Sequence, residues 1–131
     1  MHAMSARGAA AYRQTSVQSS SPLQLVVLLY DGAIKHMCAA RDAMARRDLV
    51  ARRDGLSRAM AIVAELQSTL NVKEGGAVAQ SLDGLYVYVL DLIVQANLRN
   101  DPGPLAEAER LLAPLRDAWS QVASGAPPPT P

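Results

Sequence analysis

Leu49, Leu56, Val63 and Leu70 stand seven residues apart, with Ala59 or Met60 and Leu66 between them. This heptad spacing turns one face of an α-helix towards other helices. Three further blocks carry a helical period. Val26, Tyr30, Ala33, Met37, Ala40 and Met44 make a stripe from Ser21 to about Arg46. Val78, Leu82, Leu85, Val89, Leu92 and Ala96 make another from about Ala77 to Asn100, widened by Tyr86, Leu90 and Ile93. Leu105, Ala108, Leu112, Leu115, Trp119 and Val122 make the last. No stretch alternates in the way a half-buried strand does. The chain is therefore expected to be all-α.

The boundaries agree with the stripes. Ser21-Pro22-Leu23-Gln24 reads as a capping box with proline at the first helical position. Asp48 is the next cap. Asn71-Val72-Lys73-Glu74-Gly75-Gly76 reads as a helix end with a glycine pair as breaker. Asp101-Pro102-Gly103-Pro104 forms the last joint, with Asp101 or Gly103 as cap. Pro114 removes one helical hydrogen bond and predicts a kink in the fourth helix. Joints this short specify an antiparallel up-down-up-down four-helix bundle over residues 21–124. Residues 1–20 read as an irregular N-terminal tail whose one large aromatic is Tyr12, and residues 125–131 as a disordered Pro-rich end.

The 131 residues suit one domain, and 50% hydrophobic against 19% charged excludes a disordered polar chain. Aromatics at 4%, with no Phe, argue against a base-stacking surface, and a net charge of +1 argues against nucleic acid as partner. The longest pure apolar run, Leu25 to Tyr30, is too short to cross a membrane. Residues 1–20 have no signal-peptide core, so a reducing cytoplasm is expected. Residues 1–58 carry nine Lys/Arg against four Asp/Glu, centred on Arg41, Arg46, Arg47, Arg52, Arg53 and Arg58. That cluster is either a solvated helix end or a dock for an acidic partner.

Catalytic chemistry finds no footing. There is no phosphate loop, no dinucleotide fingerprint and no Glu-x-x-His pair for a di-iron bundle. His36 and Cys38 point to different sides of one helix and make a poor metal pair. His36 reads as a surface or half-buried structural residue and Cys38 as a small buried hydrophobe. Met37 to Ala40 leave no phosphotransfer signature after His36. No cofactor, metal or catalytic residue is expected.

Apolar surface is in excess. A bundle needs about three apolar positions in seven, and the first helix exceeds this between Leu23 and Ile34, the third between Leu85 and Ile93. The surplus could close under the tail or fill a dimer contact. It could equally form a groove for an amphipathic segment of another protein, with Tyr12 docking there when the partner is absent. Candidate lining residues are Leu25, Leu28, Leu29, Tyr30 and Ile34 on the first helix and Tyr86, Leu90 and Ile93 on the third. Gly32 and Gly84 sit inside helices, where each costs about 1 kcal/mol relative to Ala, so close approach of a helix or ligand is expected at both.

Ala11-Tyr12-Arg13-Gln14-Thr15, Ser21-Pro22 and Leu28-Leu29-Tyr30-Asp31-Gly32-Ala33-Ile34 resemble the opening of the flagellin export chaperones, the FliS family. Leu70-Asn71, Gly75-Gly76, Leu82 to Tyr88, Ala96-Asn97, Asp101-Pro102 and Leu115-Arg116-Asp117-Ala118-Trp119 continue the likeness in order. The resemblance implies a cytoplasmic, non-enzymatic helical chaperone. Such a protein binds the C-terminal segment of flagellin, prevents premature polymerisation and presents flagellin to the flagellar type III export apparatus. It implies that Tyr12 caps or shapes the binding surface. Other flagellar regulators are further partners to expect, as is a monomer or weak homodimer. A helical adaptor or dimerising scaffold serving another complex is the alternative.

Overall fold

The computed structural model describes residues 21–125 and consists there of four helices: α1 (Pro22–Arg46), α2 (Leu49–Ser68), α3 (Val72–Arg99) and α4 (Gly103–Ala123). The expectations for residues 1–20 and 126–131, including Tyr12, lie outside the described residues. The capping box forms as read: Gln24 N–H donates to Ser21 Oγ at 3.1 Å, and Ser21 N–H donates to Gln24 Oε1 at 2.9 Å. Asp48 caps α2 by accepting from Ala51 N–H at 3.0 Å.

The unbroken part of helix α3 begins at Ala77, as expected, after a short capped turn. Asn71 caps it by accepting from Glu74 N–H at 3.2 Å, and the turn this opens runs into Gly76 at φ 58°, ψ −136°. The glycine pair acts as the expected breaker, separating the turn at 72–75 from the long run of α3. A side chain at Gly76 would meet no steric obstacle, but that positive φ suits glycine. Helix α4 runs through Pro114, which sits on its exposed side, where water can satisfy the carbonyl that loses its donor. Its first turn is reached from Asp101, whose Oδ1 accepts from Gly103 N–H at 2.9 Å.

Each helix packs on two neighbours: α1 on α2 and α4, and α3 on α2 and α4. Registers show the directions. Gly32 faces Ile62 while Ala40, further along α1, faces Gly55, earlier on α2. Asp31 pairs with Arg116 and Arg41 with Glu109. Gln67 bonds Asp83 whereas Arg52 bonds Asn97 and Asn100. Neighbours thus run antiparallel. α1 and α2 form the most extensive pairing, and a Cβ at Gly55 would lie 3.0 Å from the His36 carbonyl, so glycine sets that approach. Gly32 is likewise close to Ile62 Cδ1 (3.1 Å from an added Cβ), but Gly84 faces open space among the described residues, contrary to expectation.

Across the diagonal, α1 and α3 meet through two tyrosines. The Tyr30 and Tyr86 hydroxyls lie 2.6 Å apart, with ring planes 62° apart in an edge-on arrangement. Around them are buried Met37, Val63, Leu66, Val89, Ile93, Leu105 and Leu112. The buried line of α3 is Ala79, Tyr86, Val89, Ile93 and Ala96, joined by Leu92. The predicted stripe was turned slightly from this: Val78 is 69% exposed and Leu82 and Leu85 are half-buried. Heptad position Leu49 is exposed at the first residue of α2. Cys38 is exposed rather than buried, because the α1 face directed at the core is taken by Ala33, Met37 and Ala40. His36 is half-buried, and burial, then Arg58 and Lys35, lowers its pKa.

Burial, and then the bond to Tyr30, pushes the Tyr86 phenol well above its usual value. In the unfolded chain a tyrosine ionises near pH ~10, while the folded chain keeps Tyr86 neutral, so folding stability should fall as pH rises past that point. Tyr86→Phe should flatten this decline. At neutral pH, Tyr30→Phe or Tyr86→Phe strands one buried hydroxyl and should cost about 1–3 kcal/mol in denaturant unfolding. The double variant should cost less than the sum. Additive losses would show that the two hydroxyls do not depend on each other.

Candidate partner-binding groove

One end of the bundle is apolar and incompletely closed by the described residues. Here α1 and α3 begin and α2 and α4 end. A groove of 440 Å³ opens between them. Leu25, Val26 and Leu29 of α1 form one wall and Leu66 and Leu70 of α2 the next. Val78, Ala79, Leu82 and Tyr86 of α3 form the third, and Trp119 of α4 completes it. Leu25, Val26, Leu29, Leu70, Leu82 and Trp119 are each half-buried. The small residues Gly75 and Ala79 leave the space open, and Val78, two residues after the Gly76 kink, stands at the rim. Thr69 and Asn71 supply the polar edge.

Two further apolar areas lie on the sides. A recess of 340 Å³ between α1 and α4 holds Val27 and Leu28 beside the Asp31–Arg116 ion pair (2.7 Å). On the outward face of α3, Val87, Val94 and Leu98 form a stripe at helical spacing, with exposures of 52%, 38% and 74%. Tyr88 flanks the stripe and donates its hydroxyl to Glu107 of α4.

Of the residues singled out in the sequence, Leu25, Leu29 and Tyr86 meet at the groove and Leu28 lies in the α1–α4 recess. Tyr30 and Ile93 are sealed in the core. Ile34 and Leu90 are half-buried against it. Groove residues Val26, Leu70, Val78, Leu82 and Trp119 were read as core stripe. A stripe looks the same whether its neighbours cover it or end short of it. The available signal was position, since each falls close to a helix end at the same end of the bundle.

The opposite end is polar and tied down. Arg52 donates to the Asn97 carbonyl at 2.7 Å and Asn100 Oδ1 at 2.8 Å, closing the end of α3. Arg41 grips Glu109 through two nitrogens, Arg46 pairs with Asp42 and Arg58 with Asp54. Among the described residues only Arg47 and Arg53 of the six clustered arginines have no such partner. Three of the six, Arg41, Arg46 and Arg58, are thus paired with carboxylates of the chain, while Arg52 is held by neutral oxygens and keeps its charge, as do Arg47 and Arg53. Pairs this exposed are screened by water and add little to stability. Among the described residues no three His, Cys, Asp or Glu side chains gather as metal ligands. α1 and residues 73–99 have the length and hydropathy of membrane spans. However, Asp31, Lys35, Arg41 and Asp42 within α1 would be costly in lipid, and apolar bundle helices have the same composition.

Residues 4–126 match the model of the family described as flagellar protein FliS. The chain is 39% identical over 122 residues to the flagellar secretion chaperone FliS of Salmonella typhimurium, covering 89% of this chain and 90% of that protein. It is 37% identical to the FliS of Bacillus subtilis, with 86% and 83% covered, and 33% identical to that of Vibrio cholerae, with 86% and 85% covered.

The contrast between rim and core can be measured directly. Val78→Asp should change unfolding free energy by no more than about 0.5 kcal/mol, as expected for an exposed position. Ile93→Asp should leave the chain unfolded, because an unpaired charge would replace a sealed side chain. Equal thermal stability of the two variants would contradict the placement of α3.

Proposed function

Taking as premise that this chain belongs to the FliS family of flagellar secretion chaperones, we propose that it binds the disordered C-terminal segment of flagellin in the cytoplasm. It thereby prevents premature polymerisation and hands flagellin to the flagellar type III export apparatus. The family is one of chaperones, not enzymes. The observation that carries the reading is the open apolar groove, built on a bundle rigid enough to need no ordering of its own.

Magnitudes bound how the segment is held. A groove of 440 Å³ seats about three apolar side chains, each contributing about 1.5–3 kcal/mol on burial. Ordering a disordered chain costs about 1–2 kcal/mol per residue. The groove alone therefore balances about five residues. A longer flagellin segment must also lie on the α1–α4 recess and the α3 stripe, wrapping the bundle instead of sitting at one spot. Distributed contact of this kind gives moderate affinity, which suits release at the export apparatus.

Tyr12 and the tail of residues 1–20 act at the same end in this reading, covering part of the apolar surface until flagellin arrives. The chain works as a monomer or weak homodimer, and other flagellar regulators compete for the same surface. A general helical adaptor would instead capture a different protein and ignore flagellin.

Calorimetry with a flagellin C-terminal peptide should give 1:1 binding and a negative heat-capacity change from apolar burial. Flagellin lacking that segment should not bind, and equal binding without it would refute the assignment. Val78→Asp should weaken the complex while leaving the melting temperature unchanged. Deleting residues 1–14 should raise dye binding or self-association of the free chain; no change in either would remove the tail from the account.

A further inference from the structure

Trp119 is the one tryptophan in the chain. Its half-buried ring forms the α4 wall of the groove. Its Nε1 is shut off from water and has no acceptor, the one buried side-chain nitrogen or oxygen in that condition among the described residues. The neighbouring buried polar pair, Tyr30 and Tyr86, satisfies itself. An indole N–H only donates, and a buried donor without an acceptor is destabilising. Leu, Met or Phe would build an apolar wall without that defect.

The walls around the ring come mainly from apolar side chains such as Leu29, Leu66 and Leu82. None of the carbonyls of the described residues, those of the last turns of α2 and α4 included, reaches Nε1. Trp119 lines the groove, so an occupant of the groove is the group placed to bring an acceptor. Carbonyls in the middle of a helix are already bonded, whereas those of an extended stretch or of a helix's last turn are free. We infer that the groove takes a short extended or helix-ending stretch of its partner, and that Trp119 Nε1 donates to a main-chain carbonyl of that stretch. This bond sets the register of the apolar side chains in the groove. The inference rests on the reading that flagellin's C-terminal segment occupies the groove. Since Nε1 is covered in the free chain, the ring turns or its cover moves as the acceptor arrives.

The ¹⁵N-labelled full chain has a single indole N–H signal, which reports this contact without any mutation. On titration with the flagellin C-terminal peptide the signal should move downfield, and its hydrogen exchange should slow in step with saturation. Trp119→Phe should weaken binding roughly three- to tenfold, the worth of one net hydrogen bond, with helicity and melting retained. Binding heat accompanied by an unmoved indole signal would overturn the role of Trp119 while leaving flagellin recognition intact. An indole already downfield and protected in the free chain would overturn it too, since the acceptor would then be internal. Absence of any binding heat would overturn both the role and the reading beneath it.

Discussion

The hydrogen bond between Tyr30 and Tyr86 fixes how α3 is rotated in the bundle, and much of the remaining surface follows from that rotation. A buried phenol needs a partner, and for Tyr86 the partner is the hydroxyl of Tyr30, 2.6 Å away on the opposite helix. With Tyr86 held at the centre, Val89, Ile93 and Ala96 fall on the inner line. Val87, Val94 and Leu98 are then directed outward. At the start of α3 the same rotation, together with the Gly76 kink, brings Val78 and Leu82 to the groove. Tyr86 thus serves twice, as the pivot of the core and as part of the groove floor.

The two ends of the bundle are finished differently. At the end near the α1–α2 and α3–α4 joints, backbone carbonyls, carboxylates and arginines satisfy one another, as in the contacts of Arg52 with Asn97 and Asn100. A recess of 330 Å³ lined by Met44, Arg47, Leu49 and Arg52 remains there, but its rim is polar, unlike that of the other end. At the other end the helices stop with Leu25, Leu29, Leu70 and Trp119 only half covered. A chaperone that must hold an unfolded segment and later release it benefits from this division. In the proposed role, the closed end supplies stability that does not depend on cargo, and the open end supplies the apolar area that would meet it.

Most of the architecture could be read in the sequence because local signals agreed. Ser21 with Gln24 marked the start of α1, Asp48 that of α2, and the heptad Leu56–Val63 marked the inner face of α2. The rotation of α3 was harder to read because two stripes share Leu82, Val89 and Ala96. One continues through Val78, Leu85 and Leu92, the other through Ala79, Tyr86 and Ile93. Only a contact distant in sequence, Tyr30 with Tyr86, separates them. The same rotation puts Leu25, Leu29 and Tyr86 of the candidate residues at the groove and leaves Tyr30 and Ile93 in the core. Trp119 was hidden for a different reason. Its ring fits the α4 stripe, and nothing in the order of residues says that its nitrogen lacks an acceptor.

The central claim is that flagellin engages the open apolar end of the bundle. Amide hydrogen exchange of the full chain, alone and saturated with flagellin, tests it most directly. The account predicts slowed exchange at the beginnings of α1 and α3 and the ends of α2 and α4. Amides around Ala43 to Arg52, at the closed end, should be unchanged. Protection concentrated on Ala43 to Arg52, with none near Leu29, Val78 or Trp119, would contradict it.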